Sequence, residues 1–263
     1  MAKKPAWVVD KERAKRASAA ETLWLFGLHA VRDALANPAR EKLRLVLTRN
    51  AADRLGEEAW ASSGIAPEIA DPRKFPVPLD PGSVHQGAAL EVRPLDWGSL
   101  EARCAAGQGA PLVVLLDRVT DPQNVGAILR SAEVFGARAV IATARHAAPE
   151  TGALAKTASG ALERQPYLRV RNLAAAMEEL RGFGYTLLGL DGEAEETVDG
   201  ALASLPEGAA VALVLGAEGP GLRERTRETC DQLVKIPFNA DFGSLNVSNA
   251  AAVSLYAASR RLA

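Results

Sequence analysis

A chain of 263 residues with 48% apolar content can build one large or two ordinary domains, and 5% aromatics leave the core to Ala, Leu and Val. A formal net charge of −1 excludes a globally basic, histone-like binder and leaves room for a local basic face. Two distant cysteines (Cys104, Cys230), no CxxC, and three histidines (His29, His85, His146) without ligand spacing argue against structural zinc and fit a reducing cytoplasm. No apolar run approaches the roughly 18–20 residues of a membrane span, and no signal-peptide core is seen. Neither a metal nor a membrane is expected as a partner.

The segment at residues 1–21 carries, over residues 1–20, Lys3, Lys4, Lys11, Arg13, Lys15 and Arg16 against Asp10 and Glu12, net +4. It reads as a mobile basic arm, either a solvated tail or one that touches RNA. Residues 22–95 read as a small α/β domain. Its expected strands are Leu23–Phe26, Leu43–Leu47 and Gly87–Val92. Its expected helices are His29–Ala36, with Val31, Ala34 and Leu35 inward, and Asp53–Ser62, closed by Gly64. His85, just before the last strand, reads as a loop cap rather than a catalytic group. Residues 96–111, ending in Gly-Gln-Gly-Ala-Pro, read as a linker with a helical turn at Leu100–Ala106.

Residues 112–263 form the second domain. It opens on Leu112–Leu116, a continuous apolar run typical of a buried parallel strand. Asp121-Pro122 is an N-cap followed by Pro at the first helical position. Val125, Ile128, Leu129, Ala132 and Gly136 form the expected buried stripe of that helix. Arg130 lies off the stripe, one turn after Gly126, whose missing side chain leaves its approach open. Strands at Ala139–Thr143, Leu168–Val170, Thr186–Leu190, Val211–Leu215 and Leu233–Ile236 alternate with helices at Leu173–Arg181 and Leu222–Cys230. Lys156–Arg164 reads as a helix or polar loop. The alternation predicts a mostly parallel sheet covered on both faces.

The stretch Ile236–Ala252 closes the pattern. Pro237 stops a strand, and Ser244, Asn246, Ser248 and Asn249 cluster where a helix begins, more polar residues than capping needs. Three loops, Thr120–Asn124, Gly216–Gly221 and Phe238–Asn246, then follow strands and open on one edge of the sheet, where open α/β sheets hold ligands. The glycine order is G-x-x-G-x-G without a ribose-reading acid, and no P-loop is present, so a dinucleotide or nucleoside-triphosphate enzyme is poorly supported. The residues alone point to an α/β enzyme with a small-molecule pocket made of backbone.

Three motifs carry a resemblance: DPQNVGAILRSAEVFG (Asp121–Gly136), LVLGAEGPGL (Leu213–Leu222) and IPFNADFGSLNVSNA (Ile236–Ala250). In order and spacing the chain resembles the SpoU/TrmH branch of the SPOUT RNA methyltransferases. FGLHAVRDAL (Phe26–Leu35), HQGAALEV (His85–Val92) and KTASGALERQPYLRV (Lys156–Val170) resemble those members that make 2′-O-methylguanosine in large-subunit ribosomal RNA. The resemblance covers residues 22–262. It implies a SPOUT α/β fold with a trefoil knot, an L30e-like amino-terminal RNA-binding domain, a homodimer with its site near the subunit interface, and S-adenosylmethionine as methyl donor. Gly216, Ile236 and Leu245 would supply main-chain contacts to that donor, with Leu215 and Gly221 beside them. Arg130 would stand at the reacting hydroxyl, positioned by Asn124 and Glu218, while Ser244 and Asn246 shape the loop. Arginine stays protonated far above neutral pH, so electrostatic stabilisation suits Arg130 better than general-base work. Two departures flank the donor pocket: Phe238 replaces a methionine common after Ile-Pro, and Gly243 stands where serine is frequent. Ribosomal RNA is the expected substrate; transfer RNA and a non-catalytic RNA-binding or ribosome-assembly role are the alternatives.

Overall fold

The structure is a computed structural model, and it describes residues 22–80, 82–105, 111–237 and 245–260. The basic arm, Phe238, Gly243 and Ser244 lie outside the described residues. The chain divides into two compact units: residues up to Asp96 together with 150–156, and residues 97–149 together with 157–263.

The first unit holds a four-stranded sheet in the order β1-β4-β2-β3. The strands are β1 (Leu23–Phe26), β2 (Lys42–Thr48), β3 (Pro67–Ala70) and β4 (Ala88–Val92). β4 runs antiparallel to β1 and β2, and β3 runs parallel to β2. Helix α1 (Leu28–Ala36) buries Leu28, Ala30, Val31, Ala34 and Leu35, the inward face its 3.6-residue spacing predicts. The single helix expected over Asp53–Ser62 is instead two, α2 (Arg49–Leu55) and α3 (Glu58–Ala61). Thr48 caps α2 by accepting from the Ala51 N–H, and Gly56 breaks the helix at φ 80°, a conformation that suits glycine. β3 escapes sequence reading because it is a short strand that starts on proline and shows no alternation. His85 does cap its loop: its Nδ1 accepts from the Gly87 N–H at 3.1 Å, and its ring stacks on Phe75.

The second unit is built on a six-stranded sheet in the order β10-β8-β9-β5-β6-β7, parallel throughout. The strands are β5 (Leu112–Asp117), β6 (Ala139–Thr143), β7 (Tyr167–Val170), β8 (Tyr185–Leu190), β9 (Ala210–Gly216) and β10 (Gln232–Val234). Val113, Leu115, Ile141, Leu187, Ala212 and Val214 point to one face. There they pack on Leu173, Met177 and Leu180 of α7 (Leu173–Gly182) and on Leu100 and Cys104 of α4 (Leu100–Cys104). Their strand neighbours Val114, Leu116, Val140, Ala142, Leu188 and Leu213 are also fully buried, so both faces are covered. The second face receives α5 (Pro122–Val134) and α10 (Val247–Ser259), which pack on each other. The charged helix after β9 is α9 (Glu224–Thr229). Helix α8 (Val198–Ser204), capped by Thr197, is a further element that sequence reading passed over. The Lys156–Arg164 stretch resolves into the end of α6 (Gly152–Ala158) and a 3-10 turn at Ala161–Glu163.

Two details of α5 differ from expectation. Gly136 is exposed, at φ 73° just past the helix, and so ends it rather than extending its buried stripe. Gly126 is buried against α6: an added Cβ would lie 2.7 Å from Thr157 Cβ and 2.9 Å from the Ala158 nitrogen. It permits close helix packing and does not clear a path to Arg130.

Candidate active site

The site starts from the ends of parallel strands. β5 ends at Asp117, a fully buried carboxylate. Arg223 donates to it twice, from Nε to Oδ1 at 2.7 Å and from its backbone N–H to Oδ2 at 3.0 Å. This ties the end of the glycine-rich loop to the end of β5. Gly216 makes the loop possible, because a Cβ there would fall 2.1 Å from the Gly221 carbonyl carbon and 2.3 Å from the Leu222 nitrogen. Ala217 and Gly221 then close the turn by exchanging backbone hydrogen bonds of 3.2 and 2.9 Å, with Gly219 and Gly221 in left-handed conformations.

The Asp121 cap, whose side chain accepts from the Gln123 N–H, starts α5 and sets Asn124 in its first turn, where it is buried. Asn246 starts α10: its Oδ1 accepts from the Ser248 N–H at 2.9 Å and from the Ser248 hydroxyl at 2.6 Å. The same residue spends its amide on the site. Nδ2 of Asn246 donates to Asn124 Oδ1 at 3.0 Å and to Glu218 Oε1 through a short hydrogen bond. Nδ2 of Asn124 donates to the same Glu218 oxygen at 3.1 Å. One closed triangle of side chains therefore joins the loops after β5, β9 and β10, residues 122 positions apart at the extreme. A carboxylate accepting two amide N–H groups is a charge-assisted arrangement that rigidifies all three loops.

Beside this triangle lies a cavity of about 420 Å³, framed by the ends of β8, β9 and β10. That volume is in the ordinary range for a small-molecule site. Leu215, Gly216, Gly221, Ile236 and Leu245, the residues expected to hold the donor, all line it, as do Glu218 and Asn246. The walls are aliphatic side chains and glycine backbone, with Glu218, Asp191 and Lys235 as charged groups. The lining fits S-adenosylmethionine, whose flat adenine needs apolar walls and main-chain partners, and whose sulfonium and amino-acid ends are polar or charged. Asp191 was missed as a lining residue, although its place at the end of β8 makes it one more strand-end position on this edge. Arg227 pairs with it and holds it at the rim.

Arg130 is not brought into this cavity. It sits six residues after Asn124, about 9 Å along the helix and roughly 120° around it. It is exposed, has no hydrogen-bond or ion-pair partner among the described residues, and borders a separate shallow depression with Ala127, Ser131, Val134 and Phe135. The two thiols stand apart from the chemistry. Burial pushes Cys104 up to about 11 and Cys230 up to about 12, so neither is a nucleophile at neutral pH. Among the described residues no cluster of three or more His, Cys, Asp or Glu is placed to hold a metal, and no helix is long and apolar enough to cross a membrane.

A parallel α/β fold with a strand-end pocket of this kind has known counterparts. The SpoU rRNA Methylase family matches residues 111–256, and the family described as RNA 2′-O ribose methyltransferase substrate binding matches residues 24–97. The chain belongs to the SpoU rRNA Methylase family and is a methyltransferase. It is 40% identical to the 23S rRNA (guanosine-2′-O-)-methyltransferase RlmB of Photobacterium profundum, over 90% of this chain and 97% of that protein. It is 38% identical to the RlmB of Ralstonia nicotianae, over 90% and 95%. Among solved structures it is similar to the SpoU methyltransferase AviRb from Streptomyces viridochromogenes in complex with the cofactor AdoMet. The TM-score there is 0.75, with 27% identity over 95% of this chain and 93% of that one.

Proposed function

We propose that the chain transfers the methyl group of S-adenosylmethionine to the ribose 2′-OH of a guanosine in 23S ribosomal RNA. The observation that carries the reading is the Asn124–Glu218–Asn246 triangle at the edge of a backbone-lined cavity. The RlmB relatives, similar over nearly their full length, support the substrate. The donor, when bound, supplies a methyl already activated on a sulfonium. The protein must then align an oxygen for in-line displacement and manage one proton. Asn124 and Asn246 hold Glu218 and the ribose in place. Glu218 engages its amide partners through Oε1, and its Oε2 has no partner among the described residues. We assign Oε2 as the transient acceptor of the 2′-OH proton. Arg130 stabilises the alkoxide.

Arg130 lies round the helix from its own cavity, so its part in this chemistry is best met across a homodimer, beside exposed Val134 and Tyr256. The amino-terminal domain, residues 22–95, captures the RNA; residues 112–263 perform the reaction; and the work is cytoplasmic. The trefoil knot implied by the resemblance belongs to the same proposal.

The test is nucleoside mapping of ribosomal and transfer RNA from cells with and without the protein. Loss of a single 2′-O-methylguanosine from 23S ribosomal RNA is the expected result. Loss from transfer RNA alone would overturn the substrate, and no loss in either would overturn the enzyme reading.

A further inference from the structure

The strand ends of the second unit frame two cavities on one sheet edge. β8, β9 and β10 frame the one described above. The segments following β5, β6 and β7 frame another, of about 350 Å³. Arg118, Arg145, Arg171, Arg223, Arg225 and His146 line it, and among the described residues no carboxylate does. Gathering five guanidinium groups in one cleft works against mutual repulsion, and the chain as a whole carries a net charge of −1. Two are balanced from behind: Arg223 by buried Asp117 at 2.7 Å, and Arg225 by Glu228 at 3.6 Å. Arg118, Arg145 and Arg171 are exposed, and their guanidinium groups have no hydrogen-bond or ion-pair partner among the described residues. Arginines that served the fold would be paired.

The cleft is held in shape before any ligand arrives. The Arg169 guanidinium donates to the carbonyls of Thr143 at 3.3 Å, Ala144 at 3.0 Å and Ala148 at 2.8 Å. The Tyr167 hydroxyl donates to the Ala148 carbonyl as well, at 2.8 Å, and the Thr143 hydroxyl to that of Arg145. The loop bearing Arg145 and His146 is thereby pinned. Arg118 (φ 61°) and His146 (φ 63°) both hold left-handed backbone, a costly conformation for such residues that tends to mark functional sites.

We propose that this cleft binds the phosphodiester backbone of the substrate RNA, with Arg118, Arg145 and Arg171 as phosphate ligands. The proposal rests on the RNA methyltransferase reading and adds a binding track to it. Spacing favours a polymer over a single phosphate: the bases of Arg118 and Arg171 follow strands two positions apart in the sheet, about 10 Å. Guanidinium forks match phosphate oxygens and stay charged at any working pH. The track leads to the reaction site, because the loop that lines the donor cavity at Gly221 continues into Arg223 in the cleft.

The experiment measures binding of a 23S ribosomal RNA transcript across a salt series for the full chain and for the double variant Arg145→Ala/Arg171→Ala. S-adenosylmethionine binding is measured on both as the folding control. Losing two phosphate contacts should weaken RNA binding at least tenfold. It should also flatten the slope of log K against log salt by about 1.4, at roughly 0.7 per contact for single-stranded nucleic acid. Donor binding should be unchanged. Arg145→Lys/Arg171→Lys should restore most of the slope, which a merely structural effect would not do. RNA affinity and slope within twofold of the unmodified protein would overturn the proposal. If the arginine dependence holds but the unmodified protein methylates no RNA, the cleft stands and the enzymatic reading falls.

Discussion

Replacing Gly216 by Ala adds a single methyl group where the fold has least room for one. The new Cβ would stand 2.1 Å from the Gly221 carbonyl carbon, 2.3 Å from the Leu222 nitrogen and 2.4 Å from the Gly221 oxygen. Ordinary contact begins at 3.4 Å, so the two backbones must separate by 3.4 − 2.1, about 1.3 Å. None of the three atoms is the end of a flexible side chain. The movement must therefore loosen the Ala217–Gly221 bridge, whose hydrogen bonds measure 3.2 and 2.9 Å. Overpacking of this kind costs about 1–3 kcal/mol. For a unit of this size that corresponds to a Tm lower by roughly 2–12 °C. The displaced loop also lines the donor cavity and carries Glu218, and a misplacement of about 1 Å costs on the order of a hundredfold in rate. Calorimetric titration with S-adenosylmethionine, a thermal melt and single-turnover methyl transfer read the three consequences separately. A variant with native Tm and native donor affinity would show that the loop has slack the geometry denies, and the account of a backbone-built pocket would be wrong.

Two further outcomes follow from the same structure. Arg130→Ala should abolish methyl transfer while leaving donor affinity and Tm unchanged, because the side chain lies outside the cavity and has no hydrogen-bond or ion-pair partner among the described residues; retained turnover would remove its assigned role. Stability should fall at alkaline pH. Burial raises Cys104 from 9.0 to about 11, Cys230 from 9.0 to about 12 and Tyr185 from 10.0 to about 12. The folded chain keeps protons that the unfolded chain gives up, so this stabilisation is full below about pH 9 and is lost as pH rises through 11 to 12. Urea midpoints taken from pH 8 to 11 should decline, and Cys104→Ala should make the decline shallower; equal slopes for both proteins would refute the assignment.

Local pattern was enough for most elements. The run Leu112–Leu116 is apolar without alternation because β5 is buried on both faces, and periodicity reports burial directly. The inward faces of α1 and α5 follow from the same rule. Reading failed where the deciding contact was distant or the element too short to show a period. β3 exists by pairing with β2, and α8 is a short helix of seven residues. The Gly56 break was legible only as a glycine within a helical stretch, a signal that permits a break without requiring one.

By itself the sequence determined the alternating α/β class and the loops on one sheet edge, and its three motifs singled out residues that line the strand-end cavity proposed to hold the donor. Those properties are written in spacing and residue type, which act over a few residues at a time. Tertiary structure alone decided that Asn124, Glu218 and Asn246 close one triangle, that Gly126 serves helix packing, and that Arg130 faces away from the pocket. It also gathered Arg118, Arg145, Arg171, Arg223 and Arg225, scattered across more than a hundred positions, into one cleft. Strand order, which sequence periodicity does not encode, determines which loop ends become neighbours, and both sites are built from those neighbours.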